Sequence, residues 1–195
     1  MLKKILLCNI CLIVEVNKLK IIVVNGKGGS GKTTMEEYFA DLASLMGDET
    51  AFTSMVKEVK NIANRCGWTG AKEDKDRKFL ADLKDLLEDY NDLPFESVLN
   101  DILRAERDHC GYIFVDAREP KDIDRLKEMG LNIYTILVTR EETNREYNNH
   151  ADDGVFDYLY DYILENKGTL DDLKQSTETI FQLIDEDIEL IPSED

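Results

Sequence analysis

Short apolar runs alternate along the chain with stretches in which apolar residues recur at helical spacing. Leu19-Lys20-Ile21-Ile22-Val23-Val24-Asn25 reads as a strand buried on both faces. After it, Met35, Phe39, Leu42 and Met46 fall on one face of a helix over about Met35 to Leu45. Glu49 to Thr53 predicts a short second strand. Ser54 is placed to cap a helix running to about Arg65, with Val56, Val59, Ile62 and Ala63 on one side. Gly67-Trp68-Thr69-Gly70 ends it, and the charge-dense run Ala71 to Lys78 reads as an exposed loop. Phe79 to Tyr90 predicts a helix whose apolar stripe is Leu80, Leu83, Leu86 and Leu87, and Pro94 opens another to about Arg107. A buried strand is expected over Tyr112 to Val115, a helix from Pro120 to Gly130, and a strand from Asn132 to Thr139. Tyr160 to Leu164 predicts a last strand. Thr169 is placed to cap a final helix with Leu170, Leu173, Ile180, Leu183 and Ile184 inward.

Strands that alternate with helices predict an α/β fold: three layers, with about five parallel strands flanked by helices. Ligands of such sheets sit outside the carboxyl ends of the strands. The polar features fall there. The first lies between the first strand and its helix: Gly26-Lys27-Gly28-Gly29-Ser30-Gly31-Lys32-Thr33-Thr34 fits G-x-x-x-x-G-K-[ST], a phosphate-binding loop. Backbone N–H groups surround a polyphosphate closely when no Cβ intrudes. Glycines at 26, 28, 29 and 31 allow that approach and its unusual φ angles. The following helix points its positive end at the phosphates. Lys32 has the reach for the β- and γ-phosphates, and the Thr33 hydroxyl for Mg²⁺. The implied cofactors are ATP and Mg²⁺.

Charge sharpens this picture. The 195 residues include 24 basic and 41 acidic ones, a net charge of −17. That surface disfavours nonspecific contact with nucleic acid or anionic membrane, and neither is expected as a partner. It also repels a nucleotide at long range, so the few well-placed cations carry the binding. Asp116 ends the Tyr112–Val115 run, at a position that suits either a Mg²⁺ shell or a plain turn. Arg118 follows, placed for bidentate phosphate contact or for a surface pair with Glu119 or Asp122. Arg77 and Lys78 stand where the acidic helix is expected to begin, a cationic start that an anion would compensate and that is otherwise a solvated patch. Arg140 and Arg145 bound a polar segment over about 140–153, either mobile arginines that close on a substrate or exposed loop charge.

Cys8, Cys11, Cys66 and Cys110 make no zinc spacing, because no second pair accompanies Cys8-x-x-Cys11. A phosphate-binding enzyme implies the reducing cytosol, where disulfides are not expected. Residues 1–18 carry an apolar run too short for a bilayer and broken by Asn9 and Glu15. They read as an N-terminal extension before a domain over 19–190. His109 and His150 have no partner at a recognisable catalytic spacing.

In their order along the chain, several motifs resemble those of P-loop nucleoside and nucleotide kinases, and especially bacteriophage-type deoxynucleoside monophosphate kinases. Besides the loop these are Ser54-Met55-Val56-Lys57-Glu58, Arg77-Lys78-Phe79-Leu80, Val115-Asp116-Ala117-Arg118, Lys127-Glu128-Met129-Gly130 and Tyr162-Ile163-Leu164-Glu165-Asn166-Lys167-Gly168-Thr169-Leu170. The last is also similar to a motif of dephospho-coenzyme A kinases. The resemblance implies the P-loop NTPase fold and transfer from ATP to a small phosphorylated acceptor, usually a nucleoside monophosphate. It implies that Lys32 stabilises the migrating group, that Arg77 and Arg118 hold the acceptor phosphate on helices over about 54–107, and that Arg140 and Arg145 belong to a lid. A monomer or a homodimer fits equally. Lys27 with Gly28 to Thr33 also resembles the signature-lysine loop of partitioning and septum-site ATPases, which leaves an ATP-dependent switch as the alternative.

Overall fold

The strand that opens the domain, β1 (Lys20–Asn25), is buried at every position, which its unbroken apolar run requires. Four strands complete one sheet: β2 (Thr50–Ser54), β3 (Tyr112–Asp116), β4 (Ile133–Thr139) and β5 (Tyr162–Glu165). Their order is β2-β3-β1-β4-β5, and every neighbouring pair is parallel. The structure is a computed structural model and describes residues 19–186 apart from 72, 141–154 and 157. Cys8, Cys11, Arg145, His150 and most of the expected lid lie outside the described residues.

Successive residues of β1 feed opposite faces. Ile21 and Val23 join Ile113, Val115, Val98, Ile102, Ile123 and Leu126 in one core. That core is roofed by α4 (Leu93–Arg107) and α5 (Pro120–Lys127). Ile22 and Val24 join Met35, Phe39, Phe114, Ile136, Val138 and Phe181 in the other. There the roof is α1 (Lys32–Met46) and α6 (Leu170–Asp185). Phe39 makes edge-on contacts with Tyr112, Phe114 and Phe181, ring centroids 4.9–5.1 Å apart. Two further helices, α2 (Lys57–Arg65) and α3 (Asp74–Asn91), pack on each other and on α4. Among the described residues no helix is long and apolar enough to cross a membrane.

The ends of α6 are fixed by polar contacts. Thr169 caps it in a full capping box with Asp172, as its position in the sequence requires. At the other end Lys20 Nζ donates to the carbonyls of Ile184 and Asp185 at 2.8 and 2.7 Å, while Tyr112 Oη donates to Asp185 at 2.7 Å.

Four local expectations are corrected. Ser54 is the last residue of β2 and caps nothing; α2 begins three residues later, after Val56, without a side-chain cap. The charged run 74–78 opens α3, where Asp74 and Asp76 suit the positive helix end. Leu86 is 64% exposed, and the most buried side chain of α3 is a lysine, Lys84. The last strand is shifted to Tyr162–Glu165 because Asp161 caps its start: Asp161 Oδ2 accepts from Thr135 N and Oγ1, both at 2.7 Å.

Candidate active site

The loop from Gly26 to Gly31 leaves the carboxyl end of β1 and is held from beneath by two asparagines. Asn25 is fully buried. Its Oδ1 accepts from Gly26 N at 2.7 Å, and its Nδ2 donates to Arg118 O at 3.0 Å and to Tyr160 Oη at 2.8 Å. Burial pushes the Tyr160 phenol up to about 12, so it stays protonated. From the β5–α6 turn, Asn166 Nδ2 donates to Ser30 O at 2.9 Å. The Asn-Lys-Gly motif thus braces the loop from the far side of the sheet. Sequence reasoning noted Asn166 only within a resemblance, and it missed Asn25 altogether. Their signal is an amide residue at the end of a buried strand.

Two glycines are dictated by geometry. At Gly26, with φ 144°, a Cβ would lie 2.3 Å from Val138 O; at Gly31, with φ 107°, it would lie 2.7 Å from Asn166 Nδ2. Gly29 also has positive φ, whereas Gly28 does not and faces open space. Unusual φ therefore applies to three of the four expected glycines, and room alone applies to Gly28. Ser30 is buried, and its Oγ has no hydrogen-bond partner among the described residues.

Lys32 opens α1. Its Nζ reaches back across the loop and donates to Gly26 O at 2.7 Å and Lys27 O at 3.2 Å. Thr33 is exposed and Thr34 half-buried at the same helix start, while the Lys27 ammonium lies 5.1 Å from the centre of the Phe156 ring. Asp116 ends β3 level with Val24 and Ser54, so the carboxyl ends of three strands carry the loop and this acid together. Burial raises the Asp116 pKa, against the opposing pull of Lys32, Arg118 and Lys60. Those three cations therefore face the same acid. Lys60, exposed on α2, was not anticipated; it stands out in sequence as a cation one turn beyond Lys57.

Glu36 was missed as well. It sits one turn into α1 and is 9% exposed. Burial, and next the charge of Asp116, push its carboxyl up to about 7; Lys32 pulls the other way. A carboxyl raised from 4.5 to about 7 makes the folded state bind the extra proton between those values. Its stabilising contribution is complete below pH about 4.5 and is lost as pH rises towards 7. Glu36→Gln removes that loss. Its melting temperature is expected to exceed that of the wild type at pH ~8 by roughly 5–10 °C and to match it near pH ~4.5. Parallel melting curves across that range check this.

Arg118 is exposed beside the loop, and the next residue, Glu119, enters a buried ionic knot. Lys84 Nζ donates to Glu119 at 2.6 Å, to Glu88 and, at 3.5 Å, to Asp122. Lys121 bridges Glu88 and Glu119 at 2.8 Å each. The three carboxylates approach within 4.8 Å of one another, a spacing that would suit a metal, but the Lys84 ammonium occupies the centre. Burial alone would lower the Lys84 pKa; its hydrogen bonds to Glu119 and Glu88 win and raise it. Burial holds Asp122 up, while Lys121 and Lys84 bring Glu119 below its ordinary value despite burial. Arg77 is half-buried on the same stripe of α3, seven residues before Lys84. The knot therefore ties the Arg77 helix to the Arg118 turn. Arg140 is exposed at the end of β4.

No protein-family model matches the chain, and no curated protein matches it. Likeness appears among solved structures. The structure of APE1195 is 16% identical with a TM-score of 0.52, over 89% of this chain and 98% of that one. Thymidylate kinase of Ehrlichia chaffeensis is 15% identical with a TM-score of 0.50, over 85% and 98%. The APS kinase CysC of Mycobacterium tuberculosis, in complex with AMPPNP and APS, is 14% identical with a TM-score of 0.47, over 86% and 98%. The five-stranded parallel sheet, its strand order, the glycine loop after β1 and the likeness to thymidylate kinase together give this chain the fold of the P-loop kinases.

Proposed function

We propose that this protein is an ATP-dependent phosphotransferase that moves the γ-phosphoryl group to a small phosphorylated acceptor, a nucleoside monophosphate or a close relative. The observation that carries this reading is one juxtaposition. A glycine-lined cradle, the Lys32 ammonium and the Asp116 carboxylate, with Arg118 beside them, meet at the carboxyl ends of β1 and β3.

Residues present fit the triphosphate. Ser30 offers a buried hydroxyl that lacks a partner, and the φ angles of Gly26, Gly29 and Gly31 turn the loop as an anion nest requires. Thr33 and Asp116 are hard oxygen donors suited to Mg²⁺. When bound, that ion neutralises charge on the β- and γ-phosphates. Lys32 exchanges two carbonyl acceptors for phosphate oxygens, so its charge is already at the cleft. Arg118 and Arg77 hold the acceptor phosphate, and Lys60 adds positive potential from α2. Positioning and charge stabilisation suffice for this chemistry, without a general base. The Arg140–Arg145 segment supplies the lid, and the protein works in the cytoplasm as a monomer or homodimer.

Release of ADP from Mg-ATP is expected only with an acceptor from a panel of nucleoside monophosphates. Turnover that ignores every acceptor and rises with DNA or lipid supports the switch instead. Arg118→Ala is expected to raise the acceptor KM about tenfold or more while ATP affinity stays unchanged. Steady-state kinetics with each substrate varied in turn checks it, and an unaltered acceptor KM removes Arg118 from the acceptor site.

A further inference from the structure

Asn25 ends the central strand of the sheet, and no part of it is exposed. An apolar side chain there would continue the run Ile21 to Val24 with no polar group to desolvate. A buried amide is tolerated when its polar atoms are matched. Asn25 meets that condition in full. The two hydrogens of Nδ2 go to Arg118 O at 3.0 Å and Tyr160 Oη at 2.8 Å, and Oδ1 accepts from Gly26 N at 2.7 Å. The partners also decide which way round the amide sits. Reversed, its NH₂ would meet the Gly26 N–H and its oxygen the Arg118 carbonyl.

The sheet shows what this does to Arg118. Val24 of β1 is level with Asp116, the last residue of β3, and Ala117 N donates to Val24 O at 3.4 Å. One residue further on, the Asn25 side chain supplies the next link between the two segments, to Arg118 O. On the other flank Gly26 lies against β4, where a Cβ would be 2.3 Å from Val138 O, and Gly26 O accepts from Lys32 Nζ at 2.7 Å. One side chain therefore holds both the residue whose carbonyl receives Lys32 and the residue whose guanidinium stands beside the loop.

We propose that Asn25 is a positioning residue for phosphoryl transfer: it fixes the Arg118 turn against the phosphate loop and so sets the distance between the two phosphates that react. The inference deepens the phosphotransferase reading and rests on it. In that step an oxygen of the acceptor phosphate bonds to the γ-phosphorus of ATP, the bond from that phosphorus to the β–γ bridging oxygen breaks, and ADP leaves. A misplacement of ~1 Å slows such a step by as much as about 10²-fold. The bond is to the Arg118 backbone, so it uses none of the guanidinium's donors.

The full chain and its Asn25→Ala variant are compared with Mg-ATP and the nucleoside monophosphate that turns over fastest. kcat/KM for that acceptor is expected to fall about tenfold, while ADP affinity, measured by calorimetry, changes at most about threefold. In an Arg118→Ala background, where no guanidinium remains to be misplaced, Asn25→Ala is expected to cost at most about threefold in kcat/KM. Melting curves establish that the variants are folded, and Asn25→Ser, which retains a hydroxyl, replaces Asn25→Ala if that variant is not. An equal cost in both backgrounds, or a loss of ADP affinity as large as the loss in kcat/KM, shows that Asn25 supports the loop alone and overturns the proposal. A wild type that transfers to the acceptor no faster than Asn25→Ala sinks this inference alone. A wild type with no acceptor-dependent release of ADP takes the phosphotransferase reading with it.

Discussion

Lys84→Met is expected to cost about 3–5 kcal/mol of stability, which lowers the melting temperature by roughly 10 °C or more. The reason is the company Lys84 keeps. Its side chain and that of Asp122 are 9% and 1% exposed, and Glu88 and Glu119 are 15% and 25% exposed. Methionine fills the aliphatic volume but leaves Asp122 buried without the ammonium that faces it. Lys121 still serves Glu88 and Glu119, so Asp122 bears most of the loss. A buried ion set replaced as a whole is often neutral, because the desolvation of both signs disappears together. Asp122→Leu added to Lys84→Met is therefore expected to recover a large part of the lost stability. Thermal unfolding of the two variants checks this. A Lys84→Met melt within about 2 °C of the wild type contradicts a buried knot.

Lys32→Met is expected to reduce the rate of phosphoryl transfer roughly 10²–10³-fold, the size of effect seen when one preorganised charge-stabilising donor is removed. Stability is expected to change little. Lys32 is half-buried at the rim, and it donates to the backbone carbonyls of Gly26 and Lys27 in its own loop. It also lowers the pKa of both Glu36 and Asp116. Methionine should thus push both acids further up, and the acid limb of the rate profile should move to higher pH. Single-turnover rates across pH with the variant and the wild type measure both effects. A loss smaller than about tenfold would place the charge stabilisation elsewhere.

Much of this architecture is legible in sequence where one period dominates. β1 and β3 are apolar runs that end in Asn25 and Asp116, β4 is one interrupted by Thr135 that ends in Thr139, and the glycine loop follows the first at the expected place. The Thr169 cap is legible because the side chain and Asp172 make both bonds locally. α3 is different. Leu83, Leu86 and Leu87 suggest an inward stripe, but ionic pairing across to Glu119 and Asp122 sets the rotation of the helix, leaving Lys84 inside and Leu86 outside. No residue count along α3 reveals partners 35 and 38 positions away. Glu36 shows the reverse case. A charge at an inward phase, beside Met35 and three residues before Phe39, was visible but carried no motif; its meaning depends on β3 bringing Asp116 to it. Asn25 and Asn166 likewise act through contacts that cross the sheet.

A calorimetric titration of the full chain with ADP and Mg²⁺ bears most directly on the claim that the Gly26–Lys32 loop is a polyphosphate cradle. Saturable binding at one site per chain, weakened at least about tenfold by Lys32→Met, is the predicted result. No saturable binding by the folded wild type, or equal affinity in the Lys32→Met variant, would contradict it.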